Sequence, residues 1–289
     1  MGYGTWTRED FAHYSGKMNR KVNKDGSLAG SYTNQEMFQS KMLDPMLNPC
    51  GVIRECCDSE DHPETVPVIL ALDVTGSMGQ AAVEVAKKLN VIMTKLYHKV
   101  KDVQFMIMGI GDFAYDACPL QASQFEADIR VAEQLDKLYF EFGGGGNCFE
   151  SYTAAWYFAA NHTRLDAWKR GRKGVLITMG DEQLNPYLPK TGRKTNFRAV
   201  TGDVVQDDLE TKDLYEVVRE KYDVYHLDVI HRSIHDDKIG PSWRQYLEKE
   251  HFREVTMDTI ADEIVDIVKK AAGEKKTGML RKFADGISW

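Results

Sequence analysis

The stretch Val68-Ile69-Leu70-Ala71-Leu72-Asp73-Val74-Thr75-Gly76-Ser77-Met78 decides how the chain reads. Five apolar residues in a row, opened by two β-branched ones, mark a strand buried on both faces. A polar turn follows, and beyond it Ala81, Val85, Leu89, Ile92 and Leu96 recur at spacings of three and four. Glu84, Lys87, Lys88 and Lys95 fall on the other side, so the spacing predicts an amphipathic helix. Strand, tight turn and helix together form the opening unit of a parallel α/β sheet.

Working outward, Val103 to Ile110, Val175 to Met179 and Val224 to Ile230 read as further buried strands. Helices are expected over 124–138 (Phe125, Ile129, Ala132 and Leu135 inward), 150–161, 209–220, 243–249 and 259–271. This alternation predicts an α/β fold with a doubly wound, mainly parallel sheet flanked by helices. Residues 63–273 are expected to form that domain, with 274–289 as a C-terminal tail. Residues 1–62 are rich in Asn, Ser, Gly and Lys and lack a sustained period, which predicts an irregular N-terminal extension. Its aromatics (Tyr3, Trp6, Phe11, Tyr14, Phe38) are expected to pack on the domain. Asn23-Lys24-Asp25-Gly26 begins like a calcium loop, but the closing acid falls on Tyr32, so Asp25-Gly26 is read as a turn.

At 289 residues the chain can bury a stable core without disulfide or zinc staples. Its 43% hydrophobic and 28% charged residues exclude a disordered or fibrous chain. The net charge of −7, from 37 basic against 44 acidic residues, argues against nucleic acid as the main partner. Five cysteines, an odd number with no CxxC pair, argue against a disulfide framework and point to a reducing, cytoplasmic setting. Met1 to Glu9 has no apolar core of a signal peptide, and Trp6 stands where myristoylation wants Ser or Thr. The longest apolar run, Val66 to Leu72, falls well short of the ~20 residues that span a bilayer, so no membrane is expected. Oligomeric state is left open.

The chemistry concentrates in the first turn. Asp73, Thr75 and Ser77 alternate one carboxylate with two hydroxyls, and Gly76 relieves crowding between them. In a doubly wound sheet, the turn after a strand's carboxyl end is where ligands are held. Oxygen donors without Cys or His suit a hard cation such as Mg²⁺, which takes one or two carboxylates and keeps waters. The competing reading is that Asp73 and Ser77 merely cap the helix. Asp112, in Gly109-Ile110-Gly111-Asp112, follows the second strand. It either orients a metal-bound water on the same face or caps a turn.

Leu70 to Met78 resembles the first metal loop of von Willebrand factor type A domains, which include the inserted domains of integrins. That family writes the loop D-x-S-x-S, and Thr75 keeps the hydroxyl where Ser is usual. A second loop, Gly-Gly-Thr in the family, corresponds to Gly145-Gly146-Asn147, with an amide oxygen replacing the hydroxyl and Ser151 and Thr153 as stand-ins. A third, Thr-Asp-Gly, corresponds to Thr178-Met179-Gly180-Asp181-Glu182, where Asp181 is the first choice and Glu182 the reserve. The resemblance, over residues 64–272, implies a metal-ion-dependent adhesion site. Asp73, Thr75, Ser77, Asn147 and Asp181 would hold Mg²⁺ or Mn²⁺, with Asp112, Ser151, Thr153 and Glu182 around them. The ion would capture an Asp or Glu of a protein partner, and the exchange would couple to the last helix, 259–271. Intracellular relatives serve as adaptors for AAA+ ATPases or as assembly factors, and no catalysis is implied.

The enzymatic rival is a serine hydrolase. Thr75-Gly76-Ser77-Met78-Gly79 nearly matches a nucleophile elbow, and His226, His231, His235 and His251 could supply a base. The first three of these histidines also raise a second, transition-metal site, although no H-E-x-x-H motif accompanies them. Gly143 to Gly146 is no phosphate loop, because no Gly-Lys-Ser/Thr follows. Cys118 and Cys148 are read as structural thiols. The segment from Pro186 to Asp203 is either a solvated basic insertion or a specificity loop at the rim of a site.

Overall fold

A computed structural model describes residues 4–100, 102–141, 147–230 and 236–273. Tyr3, Gly143 to Gly146, His231, His235 and the tail 274–289 lie outside the described residues. Six strands form the central sheet: β1 (Val66–Asp73), β2 (Val103–Ile110), β3 (Leu120–Ala122), β4 (Gly174–Gly180), β5 (Tyr222–Val229) and β6 (Phe252–Val255). Their order is β6-β5-β4-β1-β2-β3. Every pairing is parallel except that of β2 with β3. The architecture is mixed α/β, with a mostly parallel sheet between layers of helix.

The longer helices are α1 (Arg8–Lys17), α2 (Gly79–Tyr97), α3 (Tyr152–Asn161), α4 (Thr211–Lys221) and α5 (Ile260–Gly273). Alternation along β1 shows why both faces are covered. Val68, Leu70 and Leu72 join the core made with α2 and α5, while Ile69 and Ala71 join the one made with α3 and α4. The five apolar residues that define the stripe of α2 are all buried. A strand apolar on both sides can be satisfied only in the middle of such a sandwich. No described helix is long and apolar enough to cross a membrane.

Several elements depart from the sequence expectation. The helix over 124–138 shrinks to Arg130–Leu135, because Glu126 instead exchanges backbone hydrogen bonds with Phe105 (2.8 and 2.9 Å) and extends the sheet edge. Phe125 therefore packs on one face of the sheet and Ala132 and Leu135 on the other. The helix over 243–249 gives way to Ile239–Arg244 and a 3-10 turn leading into β6, an unexpected strand. Leu209–Glu210 pairs with Tyr187–Leu188 as a short ribbon, and α4 starts only at Thr211.

The N-terminal extension is not wholly irregular either. Thr7 caps α1 by accepting from Asp10 N (3.0 Å), yet the helix buries only Phe11 and Ser15, too few for a visible period. Trp6, Phe11 and Phe38 pack into the α2 side of the core, as expected of them. Trp6 Nε1 donates to Asn90 Oδ1 on α2 at 2.9 Å. Arg20 Nη1 reaches both oxygens of Asp136 (2.9 and 2.7 Å), to which the Tyr14 hydroxyl also donates (2.8 Å).

Candidate functional site

β1 and β4 are neighbours, but the chain leaves β1 toward β2 and leaves β4 toward β5. The crevice at their carboxyl ends is thus a topological switch point, where open α/β sheets hold ligands. Asp73 ends β1 and is 0% exposed. Its Oδ1 accepts from Thr75 N (2.8 Å) and Thr75 Oγ1 (2.6 Å), an Asx-turn that bends the loop. Thr75 Oγ1 lies 3.5 Å from Ser77 Oγ, which donates to Asp181 Oδ1 at 3.0 Å. Asp181 directly follows β4 and is 6% exposed.

Four side chains from two turns are therefore joined in one line, Asp73–Thr75–Ser77–Asp181. The capping alternative fails, because α2 starts with no side-chain cap at all. The hydroxyl of Tyr152, the first residue of α3, donates to Asp73 Oδ2 at 3.0 Å and fixes the carboxylate from behind. Gly180 is needed for that approach, since a Cβ there would sit on the Tyr152 hydroxyl.

The remaining sequence candidates lie around this line. Asp112 is buried at the end of β2, and its Oδ1 accepts from Ala114 N (2.8 Å). Ser151 Oγ accepts from Phe113 N (2.9 Å), and Thr153 Oγ1 accepts from Asn185 Nδ2. Both hydroxyls thus brace loops. Asn147 is exposed, lining a cleft with Asp112 and Ser151 rather than joining the Asp73 line. The backbone oxygen of Glu182 accepts from Trp243 Nε1 (3.3 Å).

Glu150 was not singled out in the sequence, where it reads as the first residue of a helix. In the structure, Phe149–Glu150 pairs in parallel with Gln183–Leu184, which draws the loop before α3 to the loop after β4. Glu150 is 8% exposed, and its Oε2 has no hydrogen-bond partner. Burial, then the charges of Asp73, Asp112, Asp116 and Glu182, push its carboxyl far above the usual range. Burial and then Asp181 likewise raise Asp73, against the hydrogen bonds from Thr75 and Tyr152. Acidic groups thus gather here, the condition under which a carboxylate takes up protons or a metal.

Among the described residues no group of three or more His, Cys, Asp or Glu is assembled for a metal. The gathered donors are mixed instead: carboxylates of Asp73 and Asp181, hydroxyls of Thr75 and Ser77, and Glu150 close by. Such an all-oxygen set fits a hard, partly hydrated cation and offers nothing to a soft one. The described partner of Ser77 Oγ is the Asp181 carboxylate. His226 is buried, stacked on Trp243 with centroids 3.6 Å apart, and its Nδ1 meets Thr178 Oγ1 at 2.9 Å. Burial holds its pKa well below the ordinary value, so it is a neutral core residue.

The segment from Pro186 to Asp203 buries Leu188, Phe197 and Val200, so it is no merely solvated insertion. Pro186, Tyr187, Pro189 and Arg193 wall the cleft of about 560 Å³ that Asp112 also lines.

No family model matches the chain, and no curated protein matches it. Among solved structures, it is similar to the pilus adhesin SpaC of Lactobacillus rhamnosus GG in its open conformation. The TM-score is 0.51 at 11% identity, over 77% of this chain and 31% of SpaC. This chain therefore spans less than a third of the adhesin's length, and the likeness shows the fold alone. It is also similar to the vWF domain of the type V pili tip protein Mfa5 of Porphyromonas gingivalis. There the TM-score is 0.44 at 11% identity, over 71% of this chain and 94% of that one.

Proposed function

We propose that the chain is a metal-dependent protein-binding module of the von Willebrand type A kind, with no catalysis of its own. Asp73, Thr75, Ser77 and Asp181 hold Mg²⁺ or Mn²⁺, Glu150 adds a carboxylate, and Asn147 stands at the rim. When bound, the ion supplies a local positive charge with an exchangeable water position, able to take an Asp or Glu of a protein partner. An acidic chain can bind an acidic ligand this way. The chain's own residues do the rest: Tyr152 holds Asp73 in place, and the bond from Ser77 to Asp181 keeps the two loops in register.

The observation that supports this reading best is the unbroken line of side chains from Asp73 to Asp181 across the switch point. A role as adaptor for an AAA+ ATPase or as an assembly factor, in a reducing cytoplasm, is the setting we assign to it. Affinity capture with the purified chain tests the reading. Partners retained in Mg²⁺ should be released by EDTA and missed by Asp73→Ala. Retention indifferent to both would overturn it.

A further inference from the structure

The cleft beside the site has a chemistry that carboxylate capture does not use. At its wall, Asp112 is only 4% exposed. Its Oδ1 is engaged by Ala114 N at 2.8 Å, but its Oδ2 is buried with no hydrogen-bond partner. Asn147 and Ser151 stand near enough to favour the charged form, yet neither closes a hydrogen bond to Oδ2. No Lys or Arg among the described residues forms an ion pair with Asp112. Arg193, which also lines the cleft, lies over the Tyr115 ring at 4.5 Å. A buried carboxylate oxygen left unmatched is costly, and a donor entering from the cleft would relieve that cost.

The walls indicate what. Phe149, Pro186, Tyr187 and Pro189 give the cleft apolar sides, and its volume of about 560 Å³ lies in the range of ligand-holding clefts. A bare metal ion needs several oxygens converging on one point and has no use for apolar sides. An aliphatic stem ending in a cation matches both the walls and the floor.

We propose that this cleft is a subsite for an organic cation: the lysine ammonium or arginine guanidinium of a partner, donating to Asp112 Oδ2. It rests on the metal-capture reading for its place in function, since that cation would flank the captured carboxylate. The partner motif is then a basic residue close to an acidic one.

The test separates the two claims by working without metal. Nα-acetyl-arginine amide, Nα-acetyl-lysine amide and the uncharged Nα-acetyl-norleucine amide are titrated into the ¹⁵N-labelled full chain in EDTA, followed by amide chemical shifts. The charged probes should move Phe149, Tyr187 and Arg193. That binding should persist in Asp73→Ala and weaken roughly tenfold or more in Asp112→Asn. Tyr187→Ala, at a 44% exposed position, should weaken it without threatening the fold. Equal binding of the norleucine probe would overturn the proposal. So would indifference to both cleft variants, absence of any shift, or the same Asp112-dependent shifts from Mg²⁺ alone. Loss of metal binding elsewhere would leave this result standing.

Discussion

Tyr152 shows how much of the site is set by residues that do not look like ligands. Its hydroxyl is buried, and burial with the neighbouring Asp73 charge holds its pKa well above the ordinary value, so it remains a donor to Asp73 Oδ2. Tyr152→Phe keeps the ring packing but removes the group that orients the carboxylate. Partners of this kind are worth roughly 10–100-fold in metal affinity, and a Mg²⁺ titration of the variant should read a loss of that size. Glu150→Gln makes permanent the uncharged state that burial and the acidic neighbours impose on Glu150 in the metal-free protein. It should weaken Mg²⁺ binding, which needs the deprotonated carboxylate, while leaving the melting temperature of the metal-free protein nearly unchanged. A metal-free variant with a markedly higher melting temperature would instead mean that Glu150 is charged before metal binds. Asp73, Thr75 and Ser77 were legible in the sequence because one tight turn holds all three. Asp181 was legible because it follows an obvious strand. Glu150 and Tyr152 were not, since both reach the site through the pairing of Phe149–Glu150 with Gln183–Leu184, a contact that no local period announces.

At the scale of elements, α1 depends on one buried ion pair. Arg20 and Asp136 are 6% and 8% exposed at their side chains and meet at 2.7 Å, and Arg20 Nη2 also donates to the Met37 oxygen at 2.8 Å. Arg20→Met leaves Asp136 buried without its counter-charge and should cost about 3–5 kcal/mol in urea unfolding. Limited proteolysis should then cut ahead of residue 34 before it touches the sheet. An unchanged midpoint would mean that the extension is held mainly by Trp6, Phe11 and Phe38. The strands and the stripe of α2 could be read from composition and spacing, whereas α1 could not, because a helix that buries two residues shows no stripe. The error over 124–138 has the same physical root. Phe125 and Leu135 satisfy a helical count but lie on opposite faces of the sheet, and two-sidedness is invisible in a one-dimensional pattern.

For the whole molecule, the sheet order brings β1 and β4 together, and their two turns create a concentration of buried negative charge. A ligand that binds only the folded state stabilises it by about 2.7 kcal/mol at a hundred times its dissociation constant. Saturating Mg²⁺ should thus raise the melting temperature by roughly 4–5 °C, reversibly with EDTA. Ca²⁺, larger and less demanding of octahedral geometry, should also bind, whereas Zn²⁺ finds no soft ligand here. The most direct measurement is titration calorimetry of Mg²⁺ and Mn²⁺ into the wild-type chain and into Asp73→Ala. A single saturable heat in the wild type that vanishes in the variant is the expected result. The same heat in both, or none in either, would contradict a cation held between Asp73 and Asp181.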